Sequence, residues 1–364
     1  MQYREYGLTG KKISLLGFGG MRFANINDHD ECVCTMLAAA EGGVNYFDTA
    51  PIYCEGKSEQ VFGKGLAELR RRGLPHYTST KTMASSEDAV RRDLENSLKF
   101  MGISSIDFYH IWCVMYLEEW QGRKRAGILK TFGKLKEEGL IKHICVSSHL
   151  INDDIKELFL EGVFEGVLFG YSACNFQQRQ AAFEAIRKNK LGAAVMNPLE
   201  GGVIPKNKQR FAYLARPGEG IVAAALSFLW DHPEITSTLV GFENTEQVME
   251  ALAAMENYKP RTEKELSDFK KRALSSLDTI CTGCGYCNNC PAGIPIPKLM
   301  DAYNQFILNG EKTLDPVEER LKWHWGLDSS IAGKCTECGL CEEACTQHLN
   351  IVERLKVIFS KKTA

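Results

Sequence analysis

Cys281-Thr282-Gly283-Cys284-Gly285-Tyr286-Cys287-Asn288-Asn289-Cys290-Pro291 sets cysteines at three-residue intervals, and Cys335, Cys338, Cys341 and Cys345 repeat the pattern further on. A cubane cluster needs four thiolates converging on one small volume. Cys-x-x-Cys steps let one tight loop supply three of them, and a distant cysteine supplies the fourth. Two such runs have the ligand spacing of a domain that holds two 4Fe–4S clusters. In such domains the last cysteine of each run ligates the other cluster. The expected ligand sets are therefore Cys281, Cys284, Cys287 and Cys345 for one cluster, and Cys335, Cys338, Cys341 and Cys290 for the other. The first run has two residues before its last cysteine where three are usual, and Thr346 follows the second run in place of proline. Four-cysteine zinc also uses Cys-x-x-Cys, but draws two cysteines from each of two knuckles.

Upstream of these runs, short β-branched or aromatic segments alternate with amphipathic ones. Strands are expected at 13–18, 44–48, 76–81, 106–112, 144–147, 166–171, 192–196 and 237–240, and helices at 87–101, 124–138, 178–190 and 246–255. Eight strands, each followed by a helix, is the count for a (β/α)8 barrel. An open doubly wound sheet usually carries Gly-x-Gly-x-x-Gly after its first strand, and Gly17-Phe18-Gly19-Gly20 has no third glycine in register. Lys259-Pro260-Arg261 breaks the pattern, and a charged helix at 263–275 leads into the cysteine runs. The expected fold is α/β: a (β/α)8 TIM barrel at 1–258, a linker helix at 259–278, and a small α+β ferredoxin-like two-cluster domain at 279–364.

The composition, 44% hydrophobic and 25% charged, is that of a globular protein with a large core. A formal charge of −2 argues against nucleic-acid or anionic-membrane partners. Met1-Gln2-Tyr3-Arg4-Glu5 opens without an apolar targeting core, and no apolar run is long enough to span a bilayer. A cytoplasmic protein is expected. Fourteen cysteines then read as metal ligands and free thiols, and an exposed cluster pair suggests an anaerobic host.

Barrel enzymes carry their chemistry at the C-terminal ends of the strands. There the chain reads Asn45-Tyr46-Phe47-Asp48-Thr49-Ala50, with Tyr53 beyond, and Ser79-Thr80-Lys81 on the next strand. A lysine beside a phenol favours the tyrosinate and should lower the Tyr53 pKa, while Asp48 holds the ammonium. Such a phenol can give a proton to a carbonyl oxygen as a hydride reaches the carbon. Taken singly, each residue has a plainer reading: a helix cap, a half-buried lysine, a packed loop tyrosine.

These segments resemble the aldo-keto reductases. So do Ser14–Arg22, Ser58-Glu59-Gln60-Val61-Phe62-Gly63, Ile106-Asp107-Phe108-Tyr109, Gly139–Ile144 and Met196-Asn197-Pro198-Leu199 with Gly201-Gly202. Together with the cysteine runs they resemble the branch of that family with a C-terminal two-cluster extension. The resemblance implies NADP(H) bound in an extended conformation and a catalytic set of Asp48, Tyr53, Lys81 and a histidine. It implies a nucleotide site at Gly20, Met21, Ser147, Ser148, Met196, Pro198 and Leu199.

The chain departs from the family at several of these places. The family histidine would fall at position 112, where the chain has Trp112; His110 lies about 7 Å deeper on the same strand face. Trp112 is expected to wall the substrate pocket. Leu168 stands for a glutamine of the nicotinamide clamp, and Met196 for the stacking aromatic. Gly241-Phe242-Glu243-Asn244-Thr245-Glu246-Gln247 has no cation for a 2′-phosphate, so preference for NADP over NAD is not expected.

Three functions follow. The first is an iron–sulfur oxidoreductase that reduces a carbonyl, or oxidises an alcohol, with nicotinamide hydride and Tyr53 as acid/base. The second is a reductase fed through its clusters by a ferredoxin or flavodoxin partner; a flavin would suit it, although no flavin motif is legible. The third is a non-enzymatic electron-transfer subunit.

Overall fold

The first residues do not enter the barrel. Tyr3–Glu5 (β1) and Lys12–Ser14 (β2) form an antiparallel hairpin, and Tyr6 at its turn is wholly buried. In the computed structural model, which describes residues 1–276, 279–281, 283, 285–310, 312–345 and 347–360, this hairpin closes the floor of the barrel. The stretch expected as one strand at 13–18 is divided between the hairpin and the barrel. Ser14 accepts a hydrogen bond from the Asn45 amide at 3.0 Å and donates to the Leu16 carbonyl at 2.7 Å, while Asn45 Oδ1 accepts from the Ser14 amide at 2.7 Å. These side-chain bonds replace ladder bonds and let the chain turn from one sheet into the other.

The barrel strands are Leu16–Gly19 (β3), Tyr46–Asp48 (β4), Tyr77–Thr82 (β5), Ile106–Val114 (β6), Ile141–Ser148 (β7), Gly166–Gly170 (β8), Gly192–Met196 (β9) and Ser237–Gly241 (β10). They pair in parallel in chain order, and β10 closes on β3 with Thr238 opposite Leu16. Parallel strands covered by helices are buried on both faces, which explains their near-continuous apolar runs. Outside lie helices such as Ser58–Arg72, Glu87–Met101, Gln180–Asn189 and Thr245–Asn257. A 3₁₀ segment, Asn152–Phe159, takes the helix position after β7.

Inside the barrel, Tyr6, Tyr46, Phe108, Cys145, Leu168, Ala194 and Leu239 form a separate apolar core. Tyr6 fits there because β8 and β9 begin with glycine. A Cβ at Gly192 would lie 2.0 Å from the Tyr6 ring, and one at Gly166 2.3 Å.

Beyond the helix Glu263–Ser276, the cysteine-bearing segment builds its own core on Ile296–Leu308 and Ile351–Ser360. Its regular elements among the described residues are helical, and the strands of the α+β expectation are not found among them. Arg320–Trp325 is a π-helical turn, a form often met at functional sites. No helix among the described residues is long and apolar enough to cross a membrane.

Gly192→Ala should overpack the floor and cost about 1–3 kcal/mol, read as a lower urea midpoint. An unchanged midpoint would show that Tyr6 does not seal the barrel.

Candidate active site

Asp48, Ser79 and Lys81 project into the barrel from the ends of β4 and β5. Lys81 is fully buried and its Nζ donates to Asp48 Oδ1 and Oδ2 and to the Thr49 carbonyl, each at 2.7 Å. Ser79 donates a further 2.7 Å bond to Asp48. Burial lowers the Lys81 pKa, and Asp48 opposes the fall. The ammonium stands 5.2 Å from the centre of the Tyr53 ring.

Tyr53 sits on a turn directly after β4. The next three residues, Cys54, Glu55 and Gly56, have φ of 51°, 58° and 80°, a left-handed run costly for the two that bear side chains. The turn is tied down from beneath: Ser58 Oγ donates 2.7 Å to the Gly20 carbonyl and lies 2.7 Å from Thr49 Oγ1. Ser58 and Tyr53 also share a backbone bond at 3.2 Å. The expected lowering of the Tyr53 pKa is overturned. Packing around the phenol, and then the Asp48 charge, raise it well above the usual tyrosine value. Lys81 spends its charge on Asp48, so Tyr53 rests protonated.

His110 lies directly opposite Lys81 in the sheet. It is fully buried and neither ring nitrogen is hydrogen-bonded. Burial, then Lys81, push its pKa down to about 3, so the imidazole is neutral inside the barrel. Trp112 is at the rim, its ring 5.7 Å from that of Tyr53 and edge-on at 85°. A bulge between Ile111 and Val114, with Cys113 at φ 60°, aims it there. Arg123 Nη1 holds the bulge through a 2.6 Å bond to the Trp112 carbonyl.

The nucleotide-site candidates are scattered in role. The Gly20 amide donates 2.8 Å to the Asp48 carbonyl and its own carbonyl serves Ser58, so its backbone supports the Tyr53 turn. Met21 is exposed. Ser147 Oγ is buried without a partner at the end of β7, free to meet a polar ligand group. Ser148 Oγ is engaged with the Val114 carbonyl at 3.1 Å. Pro198 is buried, while Met196 and Leu199 are partly open. After β10, Asn244 caps the helix Thr245–Asn257, and Glu243 binds Gln247. Arg22 is the cation that motif reading passed over. Its side chain runs beside Gly241, and Nη2 lies 3.6 Å from where a Gly201 Cβ would stand.

Over the ends of β7 to β9 lies the cysteine-bearing domain. Arg320 forks Asp301 with bonds of 2.8 and 3.3 Å and reaches Glu200, on the loop after β9, at 3.3 Å. Trp325 Nε1 donates 2.7 Å to the same Asp301, and Tyr116 donates to the Trp325 carbonyl. Burial works against the Arg320 charge, yet Asp301 and Glu200 raise its pKa. These contacts join residues far apart in the chain, and no local motif announces them.

Two cavities lie within the cysteine-bearing domain. One, of about 290 Å³, is lined by Cys287, Cys290, Cys335, Cys338 and Cys341. The other is lined by Cys281, Cys287 and Cys345; Cys284 and Thr346 lie outside the described residues. No three metal-ligating side chains among the described residues sit close enough to bind a single ion. Backbone amides of Gly283 and Glu337 point at Cys281 and Cys335 sulfur, both at 3.4 Å, the kind of bond that tunes cluster potentials.

Comparisons with known proteins agree with this architecture. Residues 15–272 match the model of the aldo/keto reductase family, and residues 280–350 that of a 4Fe-4S dicluster domain. L-galactose dehydrogenase from Arabidopsis thaliana is 25% identical over 312 residues, covering 77% of this chain and 94% of its own. An aldo-keto reductase from Bacillus halodurans in its holo form superposes with a TM-score of 0.65 at 22% identity, over 74% of this chain and 96% of that one. One from Klebsiella pneumoniae in complex with NADPH gives 0.63 at 18%, over 75% and 95%. The chain is an oxidoreductase of the aldo/keto reductase family that carries a 4Fe-4S dicluster domain at its C-terminus.

Proposed function

We propose that this protein reduces a small carbonyl compound with nicotinamide hydride, or runs the reverse alcohol oxidation, with Tyr53 as the acid/base. The observation that carries the reading is the buried Lys81–Asp48 pair with its ammonium 5.2 Å from the Tyr53 ring. Nicotinamide, when bound, supplies the hydride that reaches the carbonyl carbon. Tyr53, held protonated, gives the carbonyl oxygen its proton, so carbonyl plus hydride plus proton becomes alcohol. Lys81 faces the tyrosinate left behind and limits its charge, while Asp48 and the Thr49 carbonyl keep that ammonium in place. Trp112 offers an apolar wall where a hydrogen-bonding histidine would orient the carbonyl, and His110, neutral and deeper, supports the barrel interior. Ser147 has a free hydroxyl for a carboxamide, and Arg22 a free charge near the mouth for a pyrophosphate. The absence of a cation at 241–247 favours no 2′-phosphate. The NADPH named with the Klebsiella relative supports the cofactor class.

In the cysteine-bearing domain, the cavity linings support crosswise ligation: Cys281, Cys284, Cys287 and Cys345 on one cluster, Cys335, Cys338, Cys341 and Cys290 on the other. The clusters, when bound, supply one-electron transfer. We divide the chain at 1–258, 259–278 and 279–364, and fourteen cysteines, eight of them in cluster-ligand spacing, favour a cytoplasmic setting. A second reading, a reductase fed by a ferredoxin or flavodoxin partner, is favoured by the docking of the cluster domain on the barrel mouth through Arg320.

Tyr53→Phe should lower kcat by about 10²–10⁴-fold and leave iron content unchanged; full activity would remove Tyr53 from the chemistry. Cys345→Ser should halve the cluster signal, and two intact clusters in that variant would refute the crosswise assignment. Anaerobic titration separates the two readings. Binding of NADPH or NADH is expected, whereas no binding by a protein whose clusters dithionite bleaches would favour the partner-fed reductase.

A further inference from the structure

Arg179 is 1% exposed and begins the helix Gln180–Asn189 over the barrel mouth. One of its nitrogens, Nη1, donates to the Leu150 carbonyl at 2.6 Å and reaches the His149 carbonyl at 3.5 Å. Nε and Nη2 are buried with no hydrogen-bond partner. Those two atoms form one edge of the guanidinium, the fork that grips a carboxylate with two parallel bonds. No carboxylate among the described residues forms an ion pair with Arg179. Asp301 and Glu200, the acids nearest in charge, are both taken by Arg320. A buried guanidinium left so is costly, and burial has already brought its pKa down to about 10.

Two histidines stand beside it. The rings of His149, just after β7, and His324, on the π-helical turn, are 4.3 Å apart and nearly perpendicular. They are 8% and 6% exposed, and His149 Nδ1 and His324 Nε2 lack partners. Gly170, the last residue of β8, lies beside His324 and Arg179. A Cβ there would stand 3.6 Å from His324 Cε1 and 3.8 Å from Arg179 Nη2. Gly170 is in register with Met196, so the group sits at the C-terminal ends of β8 and β9, the end of the barrel that also carries Asp48 and Lys81.

We propose that Arg179, with His149 and His324, forms a binding site for the carboxylate of the substrate, closed on one side by the barrel and on the other by the cluster domain. The inference deepens the carbonyl-reductase reading and rests on it for the word substrate. A carboxylate is favoured over a phosphate because one guanidinium fork and two neutral imidazoles match two coplanar oxygens and a single charge, while Arg320 is already spent. The substrate class is then a small keto or aldehyde acid, or the matching hydroxy acid. The cluster domain completes the specificity pocket by supplying His324.

The test uses anaerobic holoprotein with both clusters loaded, and calorimetry with benzoate, its neutral isostere benzamide, and inorganic phosphate. Wild type should bind benzoate at least tenfold more tightly than benzamide. Arg179→Gln should erase that preference, and Arg179→Lys should restore part of it. His324→Ala, which removes a neutral side chain and leaves the guanidinium in place, should weaken benzoate at least threefold and keeps the test open if Arg179→Gln does not fold. In turnover, the preference for 4-carboxybenzaldehyde over its methyl ester, read as a ratio of KM values, should fall at least tenfold in Arg179→Gln. Equal binding of benzoate and benzamide overturns the proposal, as does phosphate binding more tightly than benzoate and competing with NADPH, which would assign the site to the nucleotide. Binding needs no turnover. Arg179-dependent benzoate binding in a protein that reduces no carbonyl would uphold the anion site and sink the reductase reading. Reduction of neutral aldehydes with no acid preference would do the reverse.

Discussion

Arg320 joins the two halves of this molecule. Its guanidinium is shared between Asp301 of its own domain and Glu200 of the barrel loops, and Ser172 and Asn175 steady the other oxygen of Glu200 at 2.6 and 3.2 Å. Removing one partner of such a buried network leaves an uncompensated charge, at about 3–5 kcal/mol. The network therefore acts as a register mark, admitting one docking geometry. With it in place the π-helical turn lies over β8, His324 meets His149, and the cluster domain becomes part of the barrel's active face. Tyr116 and Asn207 add hydrogen bonds across the same seam, to the Trp325 and Leu308 carbonyls.

The pair at the other side of the mouth obeys the same physics with a different result. Lys81 is neutralised by Asp48 so completely that little of its field is left for Tyr53 in the resting state. The phenol thus rests in its protonated form, and in the proposed reaction the lysine matters once negative charge develops on the tyrosine oxygen. Charge compensation sets the ground state, and proximity sets the response.

The barrel was legible because its signals are local: alternating apolar runs, each short enough to be a strand, separated by polar joins. The 4Fe-4S dicluster domain was legible for the same reason, since Cys-x-x-Cys spacing is written within a few residues. The split at Ser14 was hidden, because two side-chain bonds to Asn45 turn a continuous β-like stretch into two strands. The direction of the Tyr53 pKa was misjudged because it depends on packing depth and on how Lys81 divides its hydrogen bonds. Arg179, His149, Glu200, Arg320 and His324 carry no motif at all. Each looks ordinary in its own segment, and only the docking of two domains brings them to one place. Arg22, quoted within a family-like stretch, was visible as a residue but not as a charge at the mouth.

The barrel closes by pairing β10 with β3, Thr238 against Leu16, and the domain that docks on the ends of β7 to β9 comes later in the chain. During synthesis at roughly 5–20 residues per second, domains fold from the N-terminal side first. On that scale the ribosome needs on the order of ten seconds to deliver the residues from the last barrel strand to His324. For that interval the barrel strands are complete while the domain that docks on their ends is still being made. If each cluster draws a thiolate from both cysteine runs, its insertion is consequently a late act of assembly. A failure at that stage would strand a well-folded barrel with an unfinished docking domain, a species that would look native to most probes of folding.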